Sequence, residues 1–125
     1  SSDLGHANLL EGVVEKISEG HVEVMLRNGM LVHCISPSEI SVGDKKFILV
    51  RPENINILPV ESMAENLFDA SVEERNFLGS VVRYKVRLAS GIALECEIHP
   101  DHAFADVQDV VKVQFNKEKM VLVGS

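Results

Sequence analysis

Chemistry-bearing side chains are densest in Arg83-Tyr84-Lys85-Val86-Arg87. In an extended strand successive side chains alternate, so Arg83, Lys85 and Arg87 share one face. A basic stripe with Tyr84 and Phe77 nearby could follow a single-stranded nucleic acid and stack its bases. Hairpin arithmetic points elsewhere. If Ala89-Ser90-Gly91 is a three-residue loop with Gly91 in the left-handed position, Leu88 opposes Ile92, Val86 opposes Leu94 and Tyr84 opposes Cys96. On the other face Lys85 meets Glu95 and Arg83 meets Glu97. Such pairs contribute roughly 0.2–1 kcal/mol each and neutralise most of the stripe. A solvated ion-pair face is therefore the expectation.

The same register fits an earlier hairpin. With Arg27-Asn28-Gly29 as the loop, Leu26 opposes Met30, Val24 opposes Val32 and Val22 opposes Cys34. Cys34 and Cys96 then occupy equivalent apolar positions, which suits small buried residues better than a redox pair. The histidines are His6, His21, His33, His99 and His102. His99-Pro100-Asp101-His102 offers two metal ligands, but no further Cys or His stands at finger-like spacing. A surface loop and no metal are expected there. No nucleophile-elbow motif, Ser/His/Asp arrangement or carboxylate pair stands out. The phosphate-cradling Gly-x-x-x-x-Gly-Lys-Ser/Thr is absent, so this polypeptide is not expected to hydrolyse ATP by the P-loop route.

Composition narrows the setting. The 125 residues are 46% hydrophobic, enough for one compact core, with a formal net charge of −7. That balance argues against a nucleic-acid or anionic-membrane surface as the main role. No apolar run reaches the roughly 18 residues of a membrane span. Ser1-Ser2-Asp3-Leu4-Gly5-His6 lacks the features of a signal peptide. Two cysteines make no disulfide framework and suit a reducing compartment.

The elements that must position these groups are strands. His21 to Leu26 alternates, Glu19-Gly20 and Val42-Gly43-Asp44 read as turns, and Ser36-Pro37-Ser38-Glu39 reads as a loop with room for one helical turn. Leu10 to Ile17 reads as a strand or a strand pair broken at Gly12. The plan then repeats. Asn66-Leu67 echoes Asn8-Leu9 (66 − 8 = 58), Gly91 and Cys96 echo Gly29 and Cys34 (91 − 29 = 62), and Asp109 and Glu118 echo Asp44 and Glu53 (109 − 44 = 65). Growing offsets are what small loop insertions in duplicated units produce. Two units, about 1–61 and 62–125, each of about five short strands, predict an all-β, OB-like barrel or sandwich. A unit of about 60 residues is marginal alone, so the two are expected to share a core as one domain. Whether strands swap between them is left open. So is the Pro59–Glu65 linker, as a short helix over Glu61-Ser62-Met63-Ala64-Glu65 or plain loop.

Between the units lies Leu49-Val50-Arg51-Pro52-Glu53-Asn54-Ile55. Pro52 removes a ladder donor, and Ile55, Ile57 and Leu58 resume as a bent or edge strand. Arg51-Pro52-Glu53-Asn54 after an apolar strand resembles a signature of the TOBE (transport-associated OB-like) domain, the C-terminal regulatory domain of bacterial ABC-importer ATPase subunits. Gly5-His6-Ala7-Asn8-Leu9-Leu10-Glu11-Gly12 resembles that domain's start. Val72-Glu73-Glu74-Arg75-Asn76-Phe77-Leu78-Gly79-Ser80, then Tyr84-Lys85-Val86 and Gly91, resembles its second half. Phe77-Leu78-Gly79 is, beside Arg51-Pro52-Glu53, the most specific piece.

The resemblance covers nearly the whole chain and implies a non-catalytic regulatory and dimerisation domain. The importer would be of polyamine, ferric-iron or sugar type. ATP and Mg would bind an ATPase domain outside this chain, which would itself carry no cofactor. The implied partners are that ATPase domain, a second copy of the subunit, and membrane permease subunits reached through the ATPase domain. The implied location is cytoplasmic, peripheral at the inner face of the bacterial cell membrane. Arg51 and Glu53 become candidates for conformational or interface ion pairs, Pro52, Asn54, Phe77 and Leu78 motif or interface residues, and Gly79 and Gly91 positions set by backbone geometry. A small-oxyanion-binding module, as in molybdate-binding relatives with duplicated TOBE-like units, is the alternative. An OB-type nucleic-acid binder is the thinner one.

Overall fold

A computed structural model of the chain describes residues 7–37 and 39–124. Gly5 and His6 of the N-terminal motif and Ser38 of the predicted loop lie outside the described residues. Ten strands follow in order: β1 (Asn8–Ser18), β2 (His21–Leu26), β3 (Leu31–Ile35), β4 (Lys45–Val50), β5 (Ile55–Leu58), β6 (Leu67–Phe77), β7 (Val82–Leu88), β8 (Ala93–Ile98), β9 (Val110–Phe115) and β10 (Val121–Gly124). They form two five-stranded antiparallel sheets, ordered β10-β4-β1-β2-β3 (sheet A) and β5-β9-β6-β7-β8 (sheet B). The sheets curl so that β10 approaches β3 and β5 approaches β8. The architecture is the all-β, OB-like one that the strand pattern predicts.

Both hairpin registers follow the loop arithmetic. Val22 faces Cys34 and Val24 faces Val32 in one; Tyr84 faces Cys96 and Lys85 faces Glu95 in the other. Leu26 N donates to Met30 O at 2.7 Å and Leu88 N to Ile92 O at 2.7 Å, closing the two loops alike. Alternation places Val22, Val24, Val32, Ile48, Val82, Val86, Val113 and Phe115 in one continuous core drawn from both sheets. Period-two patterning suffices for this, because each strand turns its β-branched and aromatic positions to one side.

Strands are exchanged between the sheets. β5, from the first half of the chain, pairs with β9 at the edge of sheet B, with Ile57 against Val113. β10, from the second half, pairs with β4 at the edge of sheet A, with Leu122 against Ile48. Asn8, at the start of β1, reaches across to β8, the far edge of sheet B. Its Oδ1 accepts from Glu95 N at 3.2 Å and its Nδ2 donates to Glu95 O at 3.0 Å. A side-chain amide thereby supplies the donor and acceptor that an eleventh strand would offer.

One expectation needs correction, and one left open is decided. Gly12 does not break the first strand: β1 runs through it, pairing Gly12 with Leu26 and with Lys46. A Cβ at Gly12 would stand 2.7 Å from Val24 Cγ1 and 2.9 Å from the Met25 carbonyl oxygen, so the glycine marks close strand contact. The break in pairing comes later, as a bulge between Val14 and Lys16, with a counterpart between Val72 and Glu74. The Pro59–Glu65 linker is turn and loop, with no helix.

Candidate functional site

Arg51, Pro52, Glu53 and Asn54 form the crossover between the sheets. Val50 ends β4 in sheet A and Ile55 begins β5 in sheet B. Arg51 is extended, at φ −83° and ψ 148°, as a residue before proline must be. Pro52, its ring buried, starts a 3-10 turn over Pro52–Asn54. Asn54 N donates to Arg51 O at 2.9 Å, and Ile55 N donates to Pro52 O. The motif thus steers the chain. Arg51 and Glu53 are exposed, and among the described residues neither makes an ion pair, so an intradomain ion-pair role for them is not found.

Glu53 opens onto a groove of about 640 Å³, shared with Glu97, His99, Asp101, His102 and Phe104. The segment Pro100–His102 is a 3-10 turn in which His99 Nδ1 accepts from Asp101 N at 3.1 Å. The His99 and His102 rings lie 6.0 Å apart. Among the described residues no three His, Cys, Asp or Glu side chains converge as a metal site.

Phe77, Leu78 and Gly79 are placed far from the crossover in sequence, at the tip of the β6–β7 hairpin. Gly79 has φ +83° and Gly91 has φ +100°, so both turns use the left-handed region that glycine enters freely. Leu78 N donates to Val81 O at 2.9 Å, closing the tip. Phe77 is 68% exposed, with its ring 5.5 Å from the Arg75 guanidinium carbon. Arg75 also donates to Ala105 O at 3.1 Å and pairs with Asp106. The tip is therefore braced against the 105–106 loop. Glu73-Glu74-Arg75 reads from sequence as a solvated strand end, which hides this role for Arg75.

Both arginines of the basic stripe are engaged by carboxylates. Arg83 donates from Nη2 to Glu97 Oε2 at 2.8 Å. Arg87 donates from Nε to Glu73 Oε2 at 2.7 Å and from Nη1 to Gly91 O at 2.9 Å. The hydrogen bond from Arg87 holds the Glu73 carboxyl below its ordinary range, and Glu73 pushes Arg87 up. Tyr84 is no stacking platform: it is buried in the core, donating to Ala105 O at 2.8 Å. Cys34 and Cys96 are buried and unbridged, and desolvation pushes each thiol up to about 12. Protonated and enclosed, they lack the thiolate character that reactivity needs.

Residues 48–123 match the family model of the TOBE domain. A spermidine/putrescine import ATP-binding protein PotA from Chromobacterium violaceum is 30% identical over 118 residues, covering 88% of this chain and 32% of the relative. The protein of the same name from Nitrosomonas eutropha is 30% identical over 122 residues, covering 92% and 33%. The chain therefore spans about a third of the length of these curated relatives. Among solved structures, the cytoplasmic molybdate-binding protein ModG, in a form with molybdate bound, superposes with a TM-score of 0.85 over 94% of this chain and 96% of that one. At 12% identity this likeness is one of fold. With more than half of the chain matched by the family model, including the Arg51–Asn54 crossover and the Phe77–Gly79 tip, the chain belongs to the TOBE domain family.

Proposed function

We propose that the chain is a non-catalytic regulatory and dimer-contact module of an ABC importer's ATP-binding subunit, of which the polyamine type has the best support. The observation that carries this reading is the pair of family motifs and where they sit. Arg51-Pro52-Glu53-Asn54 binds the two sheets into one body, while Phe77-Leu78-Gly79 stands out from it, braced by Arg75. A rigid body with a braced apolar tip suits transmission between protein surfaces; nothing in its described side chains organises a nucleophile or a phosphate cradle. The likeness to PotA proteins supports an ATP-binding partner region in the same polypeptide. In this reading ATP and Mg bind that region, and no cofactor belongs to this chain. A second copy of the subunit and the membrane permease subunits are its further partners, and nucleic acid is not. The module works in the cytoplasm, at the inner face of the membrane. The described residues contain no helix long and apolar enough to cross one.

Reading the coding sequence upstream of Ser1 tests the proposal first. An ATP-binding segment with a P-loop in the same frame supports it, and the lack of one removes it.

A second reading, a small-oxyanion module, is favoured by the ModG-like fold together with a smaller groove. That groove, about 350 Å³, is lined by Asn56, Asn66, Gln114, Asn116 and Lys117 beside Glu65 and Glu118. Amide donors suit an oxyanion, but Lys117 is already paired with Glu65 at 3.2 Å. Titration calorimetry with molybdate, sulfate and phosphate separates the readings; no heat with any of them removes this one.

A further inference from the structure

The duplicated plan is broken where β8 leads toward β9. The offset between equivalent residues is 62 at Cys96 (96 − 34) and 65 at Asp109 (109 − 44), so three residues enter between them. The 3-10 turn Pro100–His102 lies in this stretch and has no counterpart among the described residues of the 36–40 connection. With Phe104 it walls the groove of about 640 Å³ onto which Glu53 opens. The other walls are β5 and the end of β8, which stand at opposite edges of sheet B and are not paired with each other. The floor is apolar: Ile57 and Ile98 belong to the core, Leu58 is half-buried and Phe104 is 52% exposed. The rim is acidic. Glu53 and Asp101 are exposed, Glu97 is shared with Arg83, and no Lys or Arg lines the groove. The place of Glu97 in the first unit is held by Ile35 (97 − 62 = 35), so the fold does not demand a carboxylate there.

We infer that this groove is a docking site for an extended segment of a partner protein that carries Lys or Arg beside apolar side chains. Its apolar side chains would rest on Leu58 and Phe104, and its cations would reach Glu53 and Asp101. Charge complementarity selects this occupant: carboxylates on the rim repel a nucleic acid, an oxyanion or an acidic peptide and favour a cation. Among the described residues no three His, Cys, Asp or Glu side chains converge, so a bare metal ion is not the fit. Exposed ion pairs alone contribute little in water. The apolar floor is what makes a peptide the better partner than a small free cation, since a peptide covers Phe104 while it pairs with the rim. The geometry of the groove is independent of the importer reading given above.

The test is fluorescence anisotropy of labelled peptides with the whole polypeptide. The probes are the acetylated, amidated sequences Lys-Leu-Lys-Leu-Lys and Lys-Ser-Lys-Ser-Lys, with spermidine as an unlabelled competitor. The leucine peptide is expected to bind at least about 5-fold more tightly than the serine peptide, because only it covers the floor. Glu53→Gln with Asp101→Asn is expected to weaken the leucine peptide by at least about 5-fold, and by less as salt rises. Glu15→Gln with Glu19→Gln removes the same charge from exposed positions in sheet A and the turn after β1, and is expected to leave binding unchanged. Phe104→Ser, at an exposed position that the core does not need, is expected to erase the preference for leucine. Equal binding of the two peptides overturns the docking groove, as does an equal loss in the two double variants, since net charge alone is then at work. Spermidine that displaces the leucine peptide at a concentration equal to the peptide's own Kd also overturns it, because the occupant is then a small polycation.

Discussion

The side-chain amide of Asn66 takes both backbone groups of His33: Oδ1 accepts from His33 N at 2.8 Å and Nδ2 donates to His33 O at 2.9 Å. His33 lies on β3, the edge of sheet A, and Asn66 directly precedes β6 of sheet B. Asn8 and Glu95 make the same arrangement in the opposite direction. Each sheet therefore pins the other's free edge, where unpaired backbone would otherwise invite association. Asn66 is buried and holds φ at +57°, a conformation asparagine tolerates better than most residues.

Asn66→Ala removes three side-chain hydrogen bonds, two with His33 and a longer one to Phe115 O at 3.4 Å, leaves those backbone groups without that partner and puts a poorer residue in the left-handed region. A loss of about 2–3 kcal/mol is expected from urea unfolding. Asn8→Ala, whose bonds are only partly buried, is expected to cost about 1 kcal/mol. Asn66→Asp keeps the acceptor but loses the donor to His33 O, and is expected to be no milder than Asn66→Ala.

Gln108 holds φ at +76°, as Gly43 does at +95° in the matching turn. The bonds match too. Gln108 N donates to Val72 O at 2.7 Å and Gly43 N to Val14 O at 2.8 Å. Asp109 and Asp44 cap the turns from Oδ2, accepting from Asp106 N at 2.8 Å and Ser41 N at 2.9 Å. Left-handed backbone costs a non-glycine residue roughly 1–2 kcal/mol, partly offset by the entropy glycine loses on folding. Gln108→Gly is expected to stabilise by about 0.5 kcal/mol and Gly43→Gln to destabilise, both read as changes in Tm.

Gly12→Ala drives a methyl group into Val24 and the Met25 carbonyl. Backbone must move, and a loss of about 1–3 kcal/mol is expected, within the range for overpacking. Chemical denaturation would show it as a lower midpoint at unchanged slope.

The buried thiols set an alkaline limit. Burial lifts Cys34 and Cys96 from the ordinary 9.0 to about 12, so the folded chain keeps protons that the unfolded chain releases. That contribution is complete below pH 9 and is lost as pH rises toward 12. Burial moves the Tyr84 hydroxyl upward as well. Stability is expected to fall between pH 9 and 12, and Cys34→Ala with Cys96→Ala is expected to flatten that slope. At pH 8 a thiol reagent is expected to reach neither cysteine until denaturant opens the fold.

Much of the fold is legible in the sequence because hairpin register is a local matter. Gly29 and Gly91 fix loop length, and loop length fixes that Val24 meets Val32 and Val86 meets Leu94. Strand exchange is not legible. Ile55 and Ile57 in β5 and Met120 and Leu122 around β10 present the same apolar alternation, so either sheet could accept either strand. The groove joining Glu53 to Glu97 exists only because of that exchange, and no local pattern announces it. Gly12 reads as a break because glycine usually marks a turn; the close pass of β2 that demands it is a long-range contact. The Asn8 and Asn66 echo is visible, but an asparagine beside a strand ordinarily reads as a turn residue, so its role across the sheets needs coordinates.

The central claim, a non-catalytic module that supports dimer contact, is tested most directly by steady-state ATP hydrolysis of the whole subunit with and without residues 8–124. The prediction is that the truncated subunit still hydrolyses ATP at high protein concentration, but loses activity several-fold more steeply than the intact subunit on dilution. Hydrolysis by the 125-residue chain alone, or an unchanged dilution profile after truncation, would contradict it.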